Sequence, residues 1–163
     1  MVMLSRRLLP LALIVLLLEL LAVSPLQAQS GLVTFERDEL VIETAAGARH
    51  SFEVEMALEP AQQAQGLMYR QDMAEAAGML FVVRPARVLS MWMKNTFIPL
   101  DMLFIDADGR ITKVVERTVP MSLTSISSDR PVNGVLELNA GTASRLTIGP
   151  GDRVLHPAFG KAP

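Results

Sequence analysis

Phe52, Val54 and Met56 alternate with Ser51, Glu53 and Glu55, the period-two pattern of a strand with one buried and one wet face. The pattern predicts a strand over His50–Ala57, preceded by another over Leu40–Thr44. Ala45-Ala46-Gly47 between them reads as a hairpin connection, with Gly free to take positive φ. The period then changes. Ala61, Ala64, Leu67 and Met68 recur at helical spacing after Pro60, which suits a first helical turn, so a short helix is expected from Pro60 to Tyr69. Gly66 weakens its end. Met79–Val83 is a short apolar run that suits a strand buried on both faces, and Leu89–Met93 reads as the next strand. Leu100–Ile105 and Ile111–Val115 flank Asp106-Ala107-Asp108-Gly109, a tight hairpin turn. Residues 119–133 are rich in Ser and Pro and read as a long loop. Gly134–Leu138 is expected as a late strand, Asn139 as the N-cap of a helix through Leu146, and Arg153–His156 as a closing strand. About seven short strands and two short helices predict an α+β, predominantly β domain, a small curled sheet or partly open β-barrel.

The N-terminus has a different character. Arg6 and Arg7 precede an apolar run from Leu8 to Leu18, with Ser24-Pro25 and Gln27-Ala28 supplying a breaker and a cleavage point. Residues 1–28 therefore read as a signal peptide, leaving a single β-rich domain over 29–163 that is exported to the periplasm or beyond the cell. A retained anchor competes, but Pro10 and Glu19 interrupt Leu8–Val23, short of the ~20 apolar residues of a spanning helix. After cleavage no membrane contact is expected. The net charge of -2 and the lack of any Lys/Arg run argue against nucleic acid as a partner. With no Cys, disulfides, a lipobox, thiol catalysis and thiolate zinc sites are excluded. Only His50 and His156 offer imidazoles, and no cofactor motif is present. The oligomeric state is not legible.

Candidate chemistry concentrates in Met91–Asp101, "MWMKNTFIPLD", which holds the single Trp. If the strand continues, Lys94 and Thr96 share the face of Trp92. Pro99 forces a bend that could return Asp101 towards Lys94 and Asn95. Spacing alone favours a strand-end Lys94–Asp101 ion pair, with Asn95 capping a turn. Glu137 lies in a strand where Arg145 could pair with it, and Asp101 with Glu137 would make a carboxylate pair of the kind that cleaves glycosides. The many methionines, with Met91-Trp92-Met93 among them, are similar to the soft ligand sets of periplasmic copper(I) chaperones; the apolar runs around them and the lack of a nearby His favour core filling.

Gly66-Leu67-Met68-Tyr69-Arg70, Gly78-Met79-Leu80-Phe81, "MWMKNTFIPLDMLFID", Val135-Leu136-Glu137-Leu138 with Ala140-Gly141, and Gly151-Asp152 occur in that order. Together they resemble the DUF 192 family, also called UPF 0127, from about Leu40 to His156. The resemblance implies a compact β-rich domain, often exported, with no established activity or ligand. It adds Arg70 to the candidates and shifts Lys94, Asn95 and Asp101 from packing towards a site. The expected function is an exported domain binding a small polar or anionic molecule, such as an envelope saccharide. Its ligand would sit at the open end of the barrel between Arg70, Trp92, Lys94, Asn95 and Asp101. An envelope hydrolase is the alternative, with Asp101 as general base and Lys94 or Asn95 stabilising an oxyanion. A protein-interaction module with an exposed apolar patch, or a Cu(I)-binding protein, are the remaining readings.

Overall fold

The computed structural model describes residues 33–160. The stretch read as a signal peptide lies outside them, and none of the described helices is long and apolar enough to cross a membrane. Among the described residues nine strands and two helices follow in order: β1 (Glu36–Glu43), β2 (Arg49–Ala57), α1 (Pro60–Gln65), β3 (Ala77–Arg87), β4 (Ser90–Met91), β5 (Leu100–Ile105), β6 (Ile111–Val115), β7 (Ile126–Ser127), β8 (Val132–Asn139), α2 (Thr142–Leu146) and β9 (Arg153–Leu155). Seven strands form one sheet in the order β6-β5-β8-β3-β2-β1-β9, while β4 and β7 form a separate ribbon. All pairs are antiparallel except β2 with β3, which run parallel because α1 and the turns after it carry the chain back across. The sheet curls until its edges nearly meet. Ile111 donates its N–H to the Asp152 carbonyl (2.9 Å) and Val154 donates to Gly109 (2.7 Å), so β9 rests against the start of β6. The domain is α+β and predominantly β, a nearly closed barrel that leaves little free strand edge.

Strand alternation sorts the apolar residues into two cores. Leu40, Ile42, Phe52, Val54, Leu80, Leu103, Leu136 and Leu138 point into the barrel. Met79, Phe81, Met93, Met102, Phe104 and Val135 form a second cluster on the outer face of β3, β5 and β8, under the 89–100 segment. These central strands are thus covered on both sides, as the unbroken apolar runs of β3 and β5 require.

Several elements differ from expectation for local reasons. α1 stops at Gln65 because Gly66 takes φ 49°, and its Cα lies where an added Cβ would meet the Phe81 ring at 3.1 Å. The helix begins where Gln62 Oε1 accepts the N–H groups of Leu58 and Glu59, both at 2.9 Å. The strand expected over Leu89–Met93 shrinks to Ser90–Met91. Met93 instead donates to the Ser122 carbonyl (3.0 Å), and Asn95 turns the chain at φ 54°, a conformation Asn tolerates better than most residues. Asn139 does not cap α2. It pairs with Leu100 in the ladder, and its side-chain amide donates to Met73 (3.1 Å) and Ala74 (2.9 Å) carbonyls. The cap comes from Asp101, a strand residue far away in sequence.

Candidate functional site

Asp101 is fully buried, and its carboxylate is filled by three backbone donors: Arg117 (2.9 Å) and Gly141 (3.0 Å) on Oδ1, Ala143 (2.9 Å) on Oδ2. It therefore ties β5 to the turn after β6 and to the start of α2. Opposed residues of adjacent strands share a sheet face. Asp101 stands opposite Leu138 and Met102 opposite Glu137, so the register puts the two carboxylates on opposite faces. The carboxylate pair drawn from the sequence does not form, and Asp101 has neither the position nor a free oxygen for a general base. Lys94–Asp101 and Glu137–Arg145 are not ion pairs either; Arg145 meets Glu75 at 3.1 Å.

Glu137 occupies the outer face, between Met79 on β3 and Met102 on β5. Only 4% of it is exposed, and its carboxyl, which opens to a cavity, has no hydrogen-bond or ion-pair partner among the described residues. Burial pushes its pKa up from the ordinary 4.5 to about 8, so at neutral pH the group is a carboxylic acid that both donates and accepts. It borders a cavity of about 100 Å³ between the turn after α1 (Gly66–Met68), Phe81, the 90–92 segment, Lys94 and Thr96. The site lies on the outer face of the sheet beneath two loops, not at the open end of the barrel.

Of the five residues singled out in the sequence, the structure brings Trp92 and Lys94 to this cavity. Trp92 is half exposed because its strand ends at Met91, and the Lys94 ammonium stands 5.2 Å from its ring centroid, a cation–π contact. Asn95 serves the rim. Its amide donates to the Tyr69 hydroxyl (2.9 Å) and its carbonyl accepts the Tyr69 N–H (2.8 Å), which fixes the loop to the turn after α1. Arg70 faces a neighbouring depression, where it pairs with Glu55; Arg37 reaches the same carboxylate at 3.7 Å. Met68 and Met91 line the cavity, while Met79, Met93 and Met102 are core residues. No cluster of three His, Asp or Glu residues among those described is placed to hold a metal ion. The combination of a neutral buried acid, an ammonium and an exposed indole suits a small molecule with hydrogen-bond acceptors or negative charge.

The fold has solved relatives. A transcription-regulator candidate from Sinorhizobium meliloti 1021 is 48% identical, with a TM-score of 0.77 over 79% of this chain and 100% of its own. A protein of unknown function from Novosphingobium aromaticivorans DSM 12444 is 36% identical, with a TM-score of 0.73 over 77% of this chain and 89% of its own. No curated protein matches. The family model described as an uncharacterized ACR, DUF192, matches residues 41–156, and the chain belongs to that family.

Proposed function

We propose that this protein is an exported binding domain for a small polar or anionic molecule, held at the outer-face cavity by Glu137, Lys94 and Trp92. The observation that carries the reading is Glu137: a carboxyl at a cavity wall, shielded from bulk solvent, with no hydrogen-bond or ion-pair partner among the described residues. An unpartnered polar group in a core is costly, and a ligand that accepts its proton in a hydrogen bond removes that cost. Lys94 supplies positive charge at the mouth, and the free face of Trp92 offers a flat apolar surface for a sugar ring or acyl stem. Only a small group of the ligand enters, since the cavity is about 100 Å³. The net charge of -2 without any basic run gives no support to carrying a transcriptional role over from the solved relative.

Titration calorimetry against monosaccharides, sugar acids and short carboxylates tests this. Because the protonated acid is the donor and its pKa is about 8, affinity is expected to be flat below neutrality and to fall as pH rises past 8. The slope approaches about tenfold per pH unit. Glu137→Gln keeps a donor and should abolish that pH dependence, while Lys94→Ala should weaken anionic ligands more than neutral ones. Identical panels for wild type, Lys94→Ala and Glu137→Leu would sink the proposal.

A further inference from the structure

A second depression, of about 200 Å³, adjoins the Glu137 cavity on the outer face of the sheet. Register places Arg37 on β1 opposite Glu55 on β2, Glu55 beside Met79 on β3, and Met79 opposite Glu137 on β8. The four form one row on one face. Met79 is wholly buried in the outer apolar cluster, and Leu67 of the same cluster borders both hollows. The two therefore lie along one groove, with Leu67 as the wall between them. Adjacent strands are about 4.8 Å apart, so Glu55 and Glu137, two strands apart in the row, are separated by roughly 10 Å at the backbone. That distance exceeds one sugar ring and matches two joined by a glycosidic bond.

The second hollow has its own chemistry. The Glu55 side chain, 15% exposed, is shared by the guanidiniums of Arg70 and Arg37, and Arg37 also holds Glu53 at 2.9 Å. Asp72 completes the polar lining. Three carboxylates facing two guanidiniums leave the hollow near charge balance, so a ligand ion of either sign would have to displace an existing pair. A hydroxyl need not. It donates to a carboxylate oxygen and accepts from a guanidinium N–H, and each Arg fork carries five such donors. A peptide fits less well. Its backbone is recognised by strand addition at an open edge, and β2 and β3 each have neighbours on both sides.

We infer that the ligand is a saccharide of at least two rings, the first at Glu137, Lys94 and Trp92 and the second across Leu67, bonded to Arg70, Glu55 and Asp72. This rests on the Glu137 cavity being a binding site, and adds the class and length of what it binds. Arg70 then contacts the second ring and not the first.

Calorimetry of the full-length chain with matched monomers and dimers tests it: glucose with maltose and cellobiose, N-acetylglucosamine with chitobiose, galacturonic acid with its dimer, and single amino acids with dipeptides. For one sugar family the dimer is expected to bind about tenfold more tightly than the monomer, the gain of one or two added hydrogen bonds. Arg70→Met keeps the apolar stem and removes the fork, and should bring that ratio to within about twofold of unity. Asp72→Ala, at an exposed position, should lower the ratio about threefold without disturbing an ion pair. Lys94→Ala should weaken monomer and dimer together and keep the ratio. Monomers that bind with no gain from a second ring, or a gain that Arg70→Met and Asp72→Ala both leave intact, would overturn the inference and spare the cavity as a site. A gain for dipeptides but not for sugars would overturn it in favour of a peptide groove. No binding by any member of the panel would remove both readings.

Discussion

Glu137→Gln is expected to stabilise this protein at pH 7 to 9 and to leave it unchanged near pH 4. The native pKa of about 8 lies above the ordinary 4.5, so the sign is the reverse of the usual carboxylate case. Below pH 4.5 both states are protonated and nothing is lost. Between there and pH 8 the unfolded chain sheds a proton that the native state retains, so native stability declines as pH rises. Full conversion corresponds to about 5 kcal/mol, of which about 3 kcal/mol is felt at pH 7. Gln keeps nearly the same shape and cannot ionise, which removes the slope. Urea unfolding of both proteins from pH 4 to pH 9 checks this. Parallel curves would mean that the carboxyl is hydrated in the native state. A group whose ionisation weakens the fold while its proton serves binding is the expected signature of a functional acid.

Asp101→Ala should do the opposite. It leaves three buried or part-buried N–H groups without their acceptor and detaches α2 and the turn after β6 together. Hydrogen bonds to a charged group contribute about 1.5–3 kcal/mol each, and they are not additive, so a loss of about 4 kcal/mol is reasonable. The unfolding midpoint should fall by roughly 15 °C. Asp101→Asn, which keeps one acceptor oxygen, should lose less. Ligand affinity measured well below the midpoint is expected to stay within about twofold, because the residue faces the barrel side of β5. A large loss of binding in a fully folded Asp101→Asn protein would return Asp101 to the site.

Much of the architecture was legible because it rests on local signals. The alternation of β2, the Asp-Gly turn between β5 and β6 and the unbroken apolar runs of β3 and β5 each report one strand's own environment. What failed depended on contacts distant in sequence. The strand at Leu89–Met93 is cut short by a bond to Ser122, and α2 takes its cap from β5 rather than from the adjacent Asn139. The site divides in the same way. Trp92 and Lys94 were found from a polar run leaving an apolar strand, although the strand ends earlier than the alternation suggests. Asp101 looked available because spacing cannot reveal which face of β5 it occupies. Glu137 carried a signal that spacing assigned to a partner, Arg145 or Asp101: a single charge inside Val135-Leu136-Glu137-Leu138, a run otherwise suited to burial on both faces.

The position of β8 governs when this protein can be finished. It is made late in the sequence, yet it lies between β3 and β5 and joins the two halves of the sheet. A ribosome-bound chain that has not released residues 132–139 has two strands, β3 and β5, whose edges facing β8 are vacant. Completion is therefore postponed until synthesis is almost over.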